Sequence, residues 1–92
     1  MKNILQPILV ERKAQWGDPV DTHERIAHVW SGILDRDITT TEVALMMTGL
    51  KLVRAAVNPA EKDSFIDGEG YLKIAAMIEG HDPEGLAILR GE

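Results

Sequence analysis

The stretch from Thr39 to Ile78 restricts the fold more than any other part of the chain. Its first limb, TTTEVALMMTGLKLVRAAVN, repeats Val43, Met46, Met47, Leu50, Val53 and Val57 at helical spacing, while Ala44, Leu45, Leu52, Ala55 and Ala56 leave hardly any polar face. A helix so apolar all round belongs at the centre of a fold, with the other segments built against it. Thr39 followed three residues later by Glu42 is a capping-box pattern and sets its start. Lys51 and Arg54 are the only charges between Glu42 and Glu61. On a wheel of 100° per residue Arg54 falls inside the main apolar stripe and Lys51 at its edge.

The second limb opens at Asn58-Pro59, read as an N-cap and a first-turn proline with Glu61 three residues after the cap. Two helices joined so closely pack antiparallel, and residues equidistant from the turn stand level, which pairs Arg54 with Asp63 and Lys51 with Asp67. Asp63 and Asp67 are four apart and share a face with Gly70, Tyr71, Ile74 and Ile78. Buried charges need partners, so this register predicts an inward lattice in which loss of Asp63 costs on the order of 3 kcal/mol. The same groups allow two uses. They can fix the hairpin register, or, beside Tyr71 and the side-chain gaps at Gly49, Gly68 and Gly70, they can hold a phosphate, a nucleobase edge or a metal.

Ninety-two residues make one domain, 1–92, whose single core is small enough that stability can depend on subunit association. Aromatic residues are only 4% of the chain against 45% hydrophobic, so the core is aliphatic and methionine-lined, and an all-α, four-helix bundle-like fold with a short C-terminal helix or tail is expected. Cysteine is absent, and His23, His28 and His81 lack ligand spacing, which argues against zinc. The formal charge of −5 without a basic tract argues against nonspecific nucleic-acid binding. No signal peptide or membrane span is visible, and a soluble intracellular protein is expected.

A first helix is expected from about Gln6 or Pro7 to Trp16, with Ile4, Leu5, Ile8 and Leu9 as its apolar contacts and Gly17 ending it. Arg12 and Trp16 share a face, where the indole is either a cover for the core or, with the guanidinium, a grip on a planar base and its phosphate. Asp18-Pro19 opens a second helix to about Leu34, whose inward stripe is His23, Ile26, Val29, Trp30, Ile33 and Leu34; Trp30 reads as core and His23 as a packing histidine. Gly80 stops the fourth helix. Asp82-Pro83 can cap one more turn carrying Leu86, Ile88 and Leu89, either packed on the bundle or reaching a neighbouring subunit.

The order ERKAQWGD, RIAHVWSGIL and ITTTEVALMMTGLKLVRAAVNPAEKDSFIDGEGY resembles, over residues 11–78, a family of small proteins of unknown function in tailed bacteriophages and prophages. The resemblance implies a phage origin, a compact helical fold and a place in the cytoplasm of the infected host. A more distant likeness joins Asp63, Asp67 and Tyr71 to the second acidic motif of the MazG-type all-α nucleotide pyrophosphohydrolases, which implies Mg2+ held by Asp63 and Asp67. The E-x-x-E motif of those enzymes is missing: Glu42 is followed by Val43, Ala44 and Leu45, and Lys51 and Arg54 face the two carboxylates. Cations there disfavour a hard dication and favour direct phosphate recognition.

Three functions follow. The first is a homo-oligomeric phage protein that binds and sequesters a nucleotide or nucleotide-derived immune signal without a cofactor and without cleaving it, an anti-defence sponge in which Arg12, Trp16, Lys51, Arg54, Asp63, Asp67 and Tyr71 contact the ligand. The second is a diverged MazG-like nucleoside triphosphate pyrophosphohydrolase using Mg2+. The third is a protein-interaction module with a purely structural charge cluster.

Overall fold

The computed structural model describes residues 5–91, with side chains from Pro7 onward. The described residues form five helices and no strand: α1 (Leu5–Trp16), α2 (Pro19–Leu34), α3 (Thr40–Val57), α4 (Lys62–Ile78) and α5 (Pro83–Arg90). The expected all-α bundle around a central hairpin is what the chain adopts. Ile4 and the side chain of Leu5, expected among the contacts of the first helix, lie outside what is described.

Local chemistry explains most of the boundaries. Gly17 sits at φ 89°, a left-handed conformation that ends α1 without the cost a Cβ would bring. Asp18 then caps α2, its carboxylate accepting from the Val20 N–H at 2.8 Å. At α3 the capping box is complete: the Glu42 N–H donates to the Thr39 hydroxyl at 3.0 Å, and the Thr39 N–H donates to the Glu42 carboxylate at 2.9 Å. Between α2 and α3 the Ser31 hydroxyl accepts from the Ile38 N–H at 2.8 Å, which places the buried Ile38 under the bundle.

The hairpin turn differs from its expected form. Asn58 is the C-cap of α3, donating its N–H to the Arg54 carbonyl, Pro59 lies in the turn, and Glu61 is the N-cap of α4, without a side-chain cap bond. A proline at the first helical position and one in a two-helix turn have the same local signature, and the hydrogen bond that closed α3 decided between them.

α3 and α4 pack very closely. Ala44, Ala55, Ser64, Gly68 and Ala75 are small residues buried along their contact, and a Cβ placed on Gly68 would stand 3.4 Å from the Lys51 Cβ. α1 packs on α4 and α5, whereas α2 packs on α3 and α4, all on one side of the hairpin. The core is therefore divided. One buried cluster joins Leu9, Ala44, Ile74, Ala75, Met77 and Leu89; the other joins Ala27, Ile38 and Val43, with Ile26, Trp30 and Met47 against it.

Two expected stripes are corrected by this layout. On α2, His23 is buried and Ile26 and Trp30 are half-buried, but Val29, Ile33 and Leu34 are exposed because the end of the helix extends past its neighbours. On α3, Arg54 is exposed rather than inward. Of the two alternatives for the C-terminus, packing on the bundle is the one adopted: α5 runs two turns, Leu89 is only 2% exposed, and Arg90 Nε donates to Asp18 Oδ2 at 2.8 Å. Among the described residues no helix is long and apolar enough to cross a membrane.

Candidate functional site

A cleft opens where the two halves of the core separate. α1 leaves toward α5 and α2 toward α3, and the space of about 350 Å³ between them is floored by α4. Leu9 and Ile74 come from one core cluster and Ile26 and Met47 from the other, so the floor is apolar. Around it stand Arg12, Lys13 and Trp16 of α1, His23 of α2, and Asp67 and Tyr71 of α4. The Trp16 side chain is at the rim, 71% exposed. That indole covers no core, which leaves a flat apolar face available at the mouth of a pocket.

Asp67 fixes the geometry of the entrance. Its Oδ1 lies 2.8 Å from Arg12 Nη2 and its Oδ2 lies 3.3 Å from Lys51 Nζ. The Arg12 contact is an ion pair without an aligned hydrogen bond. Lys51 and Asp67 are largely buried, at 13% and 18% side-chain exposure. The carboxylate thus ties α1 and α3 to α4 and holds the guanidinium over the cleft. Lys13, half-buried beside it, has no carboxylate partner among the described residues.

His23 forms part of the wall. Its Nδ1 is 2.6 Å from the Pro19 carbonyl oxygen, and its ring centroid is 5.7 Å from that of Tyr71, tilted by 58°. Burial lowers the imidazole pKa from its ordinary 6.5, and the bond to Pro19 opposes this only in part. At Asp18, near the cleft mouth, burial alone would raise the pKa, but hydrogen bonds from Arg90 and the Val20 N–H outweigh it and hold the carboxyl below its usual value.

The seven residues singled out from the sequence fall into two places that share one carboxylate. Arg12, Trp16, Asp67 and Tyr71 line the cleft. Lys51, Arg54, Asp63 and Asp67 line a second depression, of about 390 Å³, at the hairpin turn beside Asn58 and Glu61. Lys51 and Asp67 pair as the register required. Arg54 and Asp63 do not: both are exposed, and no ion pair joins them among the described residues. Both line the depression at the hairpin turn and are open to solvent, so the expected buried pair is replaced by two solvated charges. Sequence reasoning missed Lys13 and the part His23 plays in the cleft, since nothing in the pattern around either residue distinguishes a cleft wall from ordinary packing.

Electrostatics separates the two sites. The cleft carries Arg12 and Lys13 against Asp67, an excess of one positive charge with His23 neutral. The hairpin depression carries Lys51 and Arg54 against Glu61, Asp63 and Asp67, an excess of one negative charge, and has no aromatic ring. Only the cleft suits a planar anion. Among the described residues, no group of three or more His, Cys, Asp or Glu side chains is placed to hold a metal.

A small all-α protein with an aromatic and cationic cleft is the class that fold and site define. By sequence, residues 1–79 match a domain of unknown function, DUF6378, and the chain belongs to that family. It is 32% identical over 75 residues to the "Gene 55 protein" of Mycobacterium phage D29, covering 82% of this chain and 50% of that protein. It is 38% identical over 71 residues to the "Gene 55 protein" of Mycobacterium phage L5, covering 75% of this chain and 45% of that protein. The chain spans about half the length of these curated relatives, and the family is a phage one of unknown function. No solved structure matches.

Two stability measurements follow from this geometry. Asp67→Ala strips the partner from the largely buried Lys51 and releases Arg12, and should cost about 2 kcal/mol in urea denaturation, whereas Asp63→Ala should stay within about 0.5 kcal/mol of the parent. Equal losses would return Asp63 to the buried pair. For His23, whose folded pKa lies below the unfolded value of 6.5, stability is full above that value and is lost as pH falls below it through the folded pKa. The melting temperature of the parent should therefore decline as pH falls below 6.5, and His23→Phe should remove that component.

Proposed function

We propose that the chain binds a nucleotide-type small molecule in the cleft between α1 and α2 and retains it without cleavage. In an infected host, such retention would make it a sponge for a nucleotide or nucleotide-derived immune signal. The observation that carries this reading is the convergence of the exposed Trp16 indole with Arg12 and Lys13 over an apolar floor, in a protein whose overall charge is −5. A base stacks on the indole and its phosphate meets the guanidinium and the ammonium. At about 350 Å³ the cleft lies at the small end of the roughly 300–1,000 Å³ common for small-molecule sites.

Retention rather than turnover follows from the acidic groups. A pyrophosphohydrolase of the MazG type would need Asp63 and Asp67 to share a magnesium ion. Here Asp63 is exposed in the hairpin depression, and Asp67 is held between two cations. That donor set is poor for a hard dication that takes most of its ligands as carboxylate and water oxygens.

Equilibrium dialysis of the protein with nucleoside triphosphates, cyclic oligonucleotides and adenosine-ribose derivatives, with and without magnesium, tests the proposal. Binding without product is expected, weakened about tenfold or more by Arg12→Ala or Trp16→Ala. Magnesium-dependent release of pyrophosphate would establish the enzyme instead. A blank across the panel would leave a protein-interaction module.

A second copy of the chain is the partner proposed for the opposite side of the hairpin. By the register that brings Lys51 to Asp67, Leu45 falls within one residue of level with Leu72 and Leu52 within one residue of level with Phe65, on a face that α1 and α2 leave uncovered. All four are about half exposed or more. Lys62 and Glu69, seven apart on α4 at the edge of this ridge, have opposite signs and are unpaired among the described residues, so a two-fold related copy can pair them. Light scattering at micromolar concentration should give at least twice the monomer mass, falling to the monomer in Leu52→Glu. A monomeric parent would remove the proposed partner.

A further inference from the structure

The cationic groups of the cleft occupy a single level. Arg12 and Lys13 are adjacent on α1 and stand one turn before Trp16, a rise of about 5 Å along the helix axis. One turn further back the same wall is Leu9, 5% exposed and part of the core. The other elements add no second level: among the described residues α2 and α3 bring neither Lys nor Arg to the cleft, and α4 brings the carboxylate of Asp67. A chain of phosphates needs a succession of cationic donors along its length. This wall instead runs apolar, cationic, aromatic.

The charge balance agrees with the spacing. Asp67 is paired with Arg12 at 2.8 Å and with Lys51, behind it, at 3.3 Å. Lys13 is half-buried and has no carboxylate partner among the described residues, so Arg12, Lys13 and Lys51 stand against one carboxylate, an excess of two positive charges. A phosphate monoester carries about −1.5 to −2 at pH 7 and neutralises that excess. Each further phosphate brings charge that no cation of the cleft is left to meet, in a protein whose formal charge is already −5. The hairpin depression beyond Asp67 offers no extension, since its carboxylates outnumber its cations.

We infer that the cleft takes a nucleoside monophosphate, with the base on Trp16 and its one phosphate at Arg12 and Lys13, and disfavours the triphosphate of the same nucleoside. The inference rests on the cleft being a nucleotide site and adds to that reading the number of phosphates. One ribose separates a base from its 5′-phosphate, a span that matches the single helical turn between the indole and the two cations. A second phosphate is carried past Arg12, either toward Leu9, where an anion loses its hydration without a partner, or out into solvent. A cleft of about 350 Å³ is in keeping with one base, one sugar and one phosphate.

The probes are adenosine, adenosine 5′-monophosphate and adenosine 5′-triphosphate, each dialysed to equilibrium against the full chain without magnesium, so that the triphosphate keeps its whole charge. The monophosphate should bind about tenfold more tightly than adenosine and more tightly than the triphosphate. Lys13→Ala should bring the monophosphate close to adenosine. If the triphosphate binds as tightly as the monophosphate or more so, the phosphate count is wrong and the nucleotide cleft still stands. A monophosphate no better than adenosine would mean that the cations meet no phosphate, which overturns the inference and leaves a site for the base alone. A preference for the monophosphate that survives in Lys13→Ala would take Lys13 out of the phosphate site and the charge count with it. Binding of none of the three removes both the cleft reading and this inference. Should the variant not fold, the three affinities of the parent decide by themselves.

Discussion

The carboxylate of Asp67 holds three helices in relation to one another. Through Oδ1 it takes Arg12 of α1, through Oδ2 it takes Lys51 of α3, and its own backbone belongs to α4. Lys51 would be costly in its place without this partner, since it is largely withdrawn from water, whereas Arg12 stays about half exposed. The shared anion makes the arrangement tolerable and fixes where α1 lies. With α1 drawn to α4 and α5, and α2 committed to α3 through Ala27, Ile38 and Val43, the two halves of the core cannot close over each other. The cleft is the space this division leaves.

The cleft walls have different origins, and their chemistry follows from that. The floor is core that was never covered, hence Leu9, Ile26, Met47 and Ile74. The rim is the last turn of α1, where Gly17 stops the helix and leaves Trp16 without a neighbour. The wall at His23 is the second turn of α2, positioned by the Asp18 cap and by the bond to the Pro19 carbonyl. A flat apolar rim, two cations and an apolar floor are therefore brought together by segments that fold for local reasons. Such a combination has the chemistry of the proposed ligand, planar at one end and anionic at the other.

Much of this was legible in the chain. Thr39 and Glu42, Asp18-Pro19, Gly17 and Gly80 mark boundaries by backbone chemistry that acts over three or four residues, and the helices obey them. The level pairing of Lys51 with Asp67 was legible as well, because antiparallel register needs only distance from the turn. Direction was not. α3 is apolar on nearly every side, so its sequence does not say which side its neighbours will cover; they cover Val43, Ala44 and Ala55 and leave Leu52, Val53, Val57 and Arg54 in solvent. For the same reason Arg54 and Asp63 could be level without meeting, and the candidate site divided into two. His23 shows the remaining limit: burial was foreseeable from its place on α2, but its part in a cleft wall depends on α1 and α4, far away in sequence.

The central claim is that the ligand enters the cleft between α1 and α2 and not the depression at the hairpin turn. Amide and indole NMR shifts of the isotope-labelled protein, followed during titration with adenosine 5′-monophosphate, test it most directly. The account requires the largest changes at the Trp16 indole N–H and at the Gly17, His23, Gly70 and Tyr71 amides. Changes concentrated instead at Arg54, Asn58, Glu61 and Asp63 would place the ligand at the hairpin turn and contradict it.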